Sequence, residues 1–212
     1  MGISIDQLLR SRPYLYHLTA EMNVPRIQRM RRLDSAATLL QQARRAGELQ
    51  TRRTSMLEIR IGRDSVSIRD QMPLKVNALT ITDGASLGEF VAYLNHHVYF
   101  WPGDDDGPVC ASGRNHFLRY ESENPAIIRI ETRQLLDTNK GNPPLFSHCN
   151  SGSARYHGGK RAPRNRKMFV GADDFGRRPS QVIEVTFRDG IILPAAGVHL
   201  RRLAAKRWQA MV

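Results

Sequence analysis

Residues 86–101 read SLGEFVAYLNHHVYFW, and the fold class turns on them. Ser86 opens a helix over 87–95 (LGEFVAYLN), and HVYFW predicts a strand over 97–101, stopped by Pro102-Gly103. Helix and strand abut, and the same close mixture extends both ways. Toward the N-terminus the pattern predicts a lead-in helix over 5–11 ending before Pro13 and a strand over 14–18 (YLYHL). A helical stretch follows from Glu21 to about Met30, with Pro25 in its first turn, then a helix over 36–46 capped by Ser35 and stopped at Gly47. Two alternating stretches, 56–61 and 65–69, flank Gly62 as a hairpin or two edge pieces, and 70–84 is mostly loop.

Toward the C-terminus, GDDDGP is a turn and a helix is expected from about 108 to 121. AIIRIE (126–131) reads as a strand, TRQLLDT (132–138) as a short helix, and a further strand ends near Phe146 or Ser147. The stretch 148–179, rich in Gly, Ser, Asn and Arg, is a long loop, of the kind that is usually functional or disordered. A strand over 181–187 (QVIEVTF), a turn at Arg188-Asp189-Gly190, a strand over 191–193 and a C-terminal helix over 199–210 complete the chain. Short strands mixed irregularly with helices predict one α+β domain over 1–212 rather than a doubly wound sheet.

The 212 residues are 41% hydrophobic and 25% charged, which suits a folded domain and excludes collagen or a long disordered chain. No run of about 18 apolar residues occurs, so no transmembrane helix and no membrane partner are expected. Asp6, Arg10 and Arg12 interrupt any signal-peptide block, and Asp6 stands where N-myristoylation wants Ser or Thr. Cys110 and Cys149 make neither a CxxC pair nor a disulfide framework, which points to a reducing cytoplasm. His96, His97, His116, His148 and His157 match no zinc signature, and Asp104-Asp105-Asp106 reads as a solvated turn, so no metal is expected.

The formal net charge is +12, and it is concentrated. Residues 26–53 carry eight arginines against Asp34 and Glu48, and residues 152–178 carry eight basic residues against Asp173 and Asp174. Arginine, which grips phosphates bidentately, far outnumbers lysine, so a polyanionic partner is expected, nucleic acid rather than membrane. P-loop, Rossmann, GxSxG and HExxH motifs are missing. Three features remain. In Tyr16-His17-Leu18-Thr19, His17 and Thr19 point to one face of a strand, where they could grip a ribose or an amide, or fill a core. The aromatics Tyr99, Phe100 and Trp101 could stack on a heterocycle, although taken alone they read as core. Glu184 sits among apolar residues in a strand, hence either at a wet edge or at work in a cleft.

The ordered set YLYHLT, LDSAATLL (33–40), IRDQMPL (68–74), LNHHVYFWP, NSGS (150–153) and the strand bearing Glu184 resembles an uncharacterised bacterial family related to DarT-type ADP-ribosyltransferases. The resemblance spans about residues 14–193. It implies an ADP-ribosyltransferase-like mixed β core of short strands with peripheral helices. It also implies NAD as co-substrate, split at the nicotinamide–ribose bond, and transfer of ADP-ribose to DNA or RNA. His17 would hold a ribose hydroxyl, with Leu18 and Thr19 beside it, and Tyr99, Phe100 and Trp101 would pack on nicotinamide. Glu184 would steer the ribose and stabilise developing positive charge, and Arg69 is the nominee for a catalytic arginine. Asn150, Ser151, Arg155, Arg161, Arg164 and Arg166 would meet the acceptor. The family pattern departs at Val182, where many relatives place a second acid or Gln; here Gln181 lies one residue further away. The resemblance further implies a bacterial toxin or phage-defence effector, for which an antitoxin protein is a candidate partner. The alternatives are an NAD-dependent RNA 2′-phosphotransferase and a non-catalytic nucleic-acid-binding domain.

Overall fold

The computed structural model describes residues 2–109, 117–123, 125–153, 160–202, 205 and 207–211. It is an α+β fold built on one antiparallel sheet. The sheet order is β14 (Gln209–Ala210), β13 (Val198–Arg202), β8 (Ala126–Glu131), β1 (Tyr14–Thr19), β6 (His97–Asp104), β11 (Glu184–Arg188) and β9 (Leu145–Ser147), with β7 (Gly107–Pro108) hairpinned onto β6. Its central strands are apolar on both faces because both are covered. Leu15, Phe100, Ile128 and Phe187 enter the main core, which α1 (Ile5–Ser11) and α2 (Val24–Met30) cap through Leu8, Val24 and Ile27. Tyr16, Trp101 and Ile127 alternate to the other face and meet Phe117 and Tyr120.

Around the sheet lie small satellites. The hairpin β3 (Leu57–Ile61) and β4 (Asp64–Ile68) turns at Gly62, whose φ of 59° suits glycine, and packs on α3 (Ala36–Gln42) through Leu40. Strand β2 (Arg32–Asp34) pairs with β12 (Gly190–Ile192), and β5 (Leu79–Ile81) pairs in parallel with β10 (Ala162–Arg164). The helix α4 (Leu87–Asn95) matches its expected bounds: Ser86 and Glu89 close a reciprocal capping box, and Phe90, Val91 and Leu94 pack with Leu74 and Phe169. Helix α5 (Thr132–Thr138) and β8 also fall where expected.

Several expectations are corrected. Pro102-Gly103 does not stop β6, which runs to Asp104; Gly103 is needed because a Cβ there would collide with the Gly107 carbonyl and the Tyr16 ring. The helix after Ser35 ends at Gln42, not Gly47: Arg44 takes the left-handed conformation at φ 59° and Arg45 N–H returns to Leu40 O at 2.8 Å. Residues 179–181 form a 3₁₀ turn, so the strand bearing Glu184 begins at Glu184 itself. Where a C-terminal helix over 199–210 is expected, the described residues form β13 and β14; residues 203, 204 and 206 lie outside them. Val198 and Leu200 enter the core with period two, and β13 ladders along the edge of β8 that β1 leaves open. Most of the expected helix over 108–121 lies outside the described residues, as does Cys110; residues 117–119 are helical.

Candidate active site

The site begins where one ladder ends. Strand β1 pairs with β8 along its whole length, to Thr19 opposite Ala126, whereas its ladder with β6 covers only Tyr14 to Tyr16. Past that point a side chain takes over: His17 Nδ1 lies 2.9 Å from the Tyr99 carbonyl. A carbonyl only accepts, so Nδ1 carries the proton and Nε2 is left as an acceptor. Burial pushes His17 down to about 4, against the pull of that carbonyl, and the Arg69 guanidinium lowers it further. The imidazole is therefore neutral at pH 7.

A cavity of about 250 Å³ opens at this fork. On β6 and β11, Thr186 stands opposite Tyr99, and Glu184, two residues earlier, shares their face. Glu184 is 2% exposed, and its Oε2 accepts from Ser151 N–H at 3.0 Å. Burial raises its carboxyl to about 7, opposed by the Ser151 N–H and hydroxyl and then by Arg164. The Tyr99 hydroxyl donates to Leu94 O at 2.8 Å, fixing the ring; burial, then the Glu184 carboxylate, raise it well above an ordinary phenol. The wall opposite the sheet comes from α2 and the β3–β4 hairpin. Asn23 ties them together, donating to Thr19 Oγ1 (3.0 Å) and Ser67 O (2.8 Å) and accepting from Ser67 N–H (2.8 Å).

Of the residues singled out from the sequence, His17, Leu18, Thr19, Arg69, Tyr99, Trp101, Asn150, Ser151 and Glu184 all line this cavity. Phe100 does not: it is wholly buried in the main core, edge-on to Phe187 at 5.8 Å. Arg164 faces inward at 8% exposure, its guanidinium donating to Pro163 O (2.8 Å), Asn150 O (2.8 Å) and Ser153 O (3.3 Å), so it holds the turn 150–153 rather than meeting an acceptor. Arg166 is exposed and paired with Asp83 at 3.0 Å, Arg161 is exposed, and Arg155 lies outside the described residues.

The basic stretch 26–53, expected to face a polyanion, is largely spent within the fold. Arg26 is 7% exposed and bonded to Asp34 and Gln42, Arg32 pairs with Asp34, Arg29 with Asp64 and Arg45 with Glu48. Arg31 donates to Pro194 O and Met211 O, and Arg52 to Leu74 O. Asn23, Arg53 and Asn95 line the cavity too, and sequence reading missed them as site residues. Asn23 lies inside a stretch that reads as helical from Glu21, and Arg53 is hidden in a basic stretch.

The arrangement offers a neutral imidazole acceptor, a carboxyl that titrates near neutrality and aromatic walls in one cleft, which is equipment for orienting hydroxyls beside a flat ring and moving a proton. No curated protein and no solved structure matches this chain. Residues 13–196 match the model of DUF7002, described as a family of unknown function, and the chain belongs to that family.

Proposed function

We propose that this chain is an NAD-dependent ADP-ribosyltransferase with an ADP-ribosyltransferase-like fold, passing ADP-ribose to a nucleic acid as a bacterial toxin or phage-defence effector. The observation that carries the reading is the convergence of His17, Tyr99 and Glu184, 82 and 85 positions apart along the chain, on one cavity. The residues fit the group: NAD brings ribose hydroxyls, a flat ring and an activated glycosidic bond. His17 Nε2 accepts from a ribose hydroxyl, and Tyr99 and Trp101 pack against the planar ring. Glu184, once ionised, stabilises positive charge as the nicotinamide–ribose bond breaks and nicotinamide departs with the bonding pair. It then receives the proton released as the acceptor atom bonds the ribose carbon.

A nucleic-acid acceptor is favoured by the +12 charge and by Lys160, Arg161, Lys167, Arg177 and Arg178, all exposed on the stretch after the turn 150–153. A second reading, NAD-dependent removal of an RNA 2′-phosphate, draws on the arginines Arg53 and Arg69 in the cavity wall. The two separate on one assay. Incubation with labelled NAD and nucleic acid is expected to release nicotinamide and label the nucleic acid, and Glu184→Ala to abolish both. Transfer retained in that variant would sink the assignment of Glu184, and NAD turnover seen only with 2′-phosphorylated RNA would favour the second reading.

A further inference from the structure

Among the described residues, four arginines line the cavity: Arg26, Arg32, Arg53 and Arg69. The first two are neutralised, sharing the buried Asp34 carboxylate, with Arg26 also 3.7 Å from Asp64. The other two differ. Arg53 has no carboxylate within ion-pair distance among the described residues. Its Nε donates to the Arg69 carbonyl at 3.0 Å and its Nη2 to Asn95 Oδ1 at 2.9 Å, both neutral acceptors, and its Nη1 is buried with no partner among the described residues. Arg69 lies 4.0 Å over the Tyr120 ring and gives Nη1 to Glu123 at 2.9 Å, while its Nε and Nη2 are buried with no partner among the described residues. The nearby acid Asp70 is held by other donors, its Oδ1 accepting from Met72 N–H at 2.8 Å and from the Tyr120 hydroxyl at 3.4 Å. It acts on Arg53 through space and makes no ion pair with either arginine among the described residues.

We infer that Arg53 and Arg69 form an anion subsite in this cavity that takes a phosphate or diphosphate ester. A partly buried guanidinium without a counter-ion, as at Arg53, is unfavourable, and Arg69 beside it adds a second positive charge of which only Nη1 is met by a carboxylate, that of Glu123. The Arg53 bond to the Arg69 carbonyl holds the pair in register, so the cost of gathering the charges is met on folding rather than on binding. Spare N–H groups on two guanidinium planes suit the several oxygens of a phosphate better than a single carboxylate. Naming the NAD diphosphate as occupant rests on the transferase reading, and the 2′-phosphate of RNA would present the same chemistry; the subsite itself rests on neither.

The test is titration calorimetry of the full chain in about 0.15 M salt, which screens the exposed basic surface. The probes are inorganic pyrophosphate, ADP-ribose, a 2′-phosphorylated oligoribonucleotide and nicotinamide riboside, which carries no phosphate. Arg53→Gln and Arg69→Gln are each expected to weaken pyrophosphate and ADP-ribose by about tenfold or more and to leave nicotinamide riboside unchanged. Arg53→Lys, which keeps the charge, should retain part of the affinity, and thermal melts establish that each variant is folded. If Arg53→Gln does not fold, Arg69→Gln and Arg53→Lys carry the comparison. Unchanged pyrophosphate affinity in folded variants, or no pyrophosphate binding by the wild type, overturns the subsite. Pyrophosphate binding without ADP-ribose binding keeps the subsite and removes the transferase reading; tighter binding of the 2′-phosphorylated RNA than of ADP-ribose names RNA as the source.

Discussion

At the scale of single residues, Glu184 and His17 are perturbed in opposite senses by the same burial. The Glu184 carboxyl is raised to about 7 from an ordinary 4.5, so the folded state binds its proton more tightly than the unfolded chain does. Its contribution to stability is complete below pH 4.5 and is lost as pH rises through 7. Glu184→Gln is therefore expected to exceed the wild type in stability at pH 8 by roughly 2–3 kcal/mol, with the gain vanishing near pH 4, read from urea melts at both pH values. A pH-independent difference would contradict the burial account. Activity should follow the ionised form, so the rate at saturating NAD should rise with pH through about 7. His17, lowered to about 4, stabilises the fold above pH 6.5 and ceases to as pH falls through 4, so acid unfolding between those values should be shallower in His17→Gln.

At the scale of elements, the turn 150–153 is the weak link in placing the carboxylate. Ser151 bonds Glu184, and Arg164, brought in by the β5–β10 pairing, bonds the carbonyls of Asn150 and Ser153. Arg164→Gln should cost about 1–3 kcal/mol in denaturant melts, since it takes the donor from the part-buried carbonyls of Asn150 and Ser153, and should lower kcat more than it raises KM. The β5–β10 pairing also marks where sequence reading stopped. Segments with their own start and stop chemistry were legible: SLGEFVAYLN carries its capping box, and AIIRIE with TRQLLDT kept its bounds. The C-terminal strand was not, because residues 199–210 are compositionally good helix formers and only the open edge of β8 makes Val198–Arg202 extended. Leu200→Ala, which empties a core position of that strand, should cost about 2–4 kcal/mol; an effect below about 0.5 kcal/mol would place Leu200 outside the core.

At the scale of the whole molecule, the +12 charge divides into two uses that composition does not separate. Most arginines of residues 26–53 are bonded within the fold, Arg26 and Arg29 tying α2 to β2 and the hairpin, while Lys160, Arg161, Lys167, Arg177 and Arg178 face outward. Activity on a nucleic acid should accordingly fall steeply with salt while fold stability changes little. The site divides the same way. His17, Tyr99 and Glu184 were legible because each lies on a strand with a recognisable neighbourhood. Asn23 and Arg53 were not, since Asn23 acts on Ser67, 44 positions on, and Arg53 on Asn95, 42 positions on. The central claim, that one cavity splits NAD and passes ADP-ribose to nucleic acid with Glu184 as the working carboxylate, meets its most direct test in mass spectrometry. DNA, RNA and protein would be analysed separately after incubation with NAD and either the wild type or Glu184→Gln. The account predicts an ADP-ribose adduct on DNA or RNA with the wild type and none with the variant. Intact NAD with unmodified nucleic acid, or an adduct that persists in the variant, would contradict it.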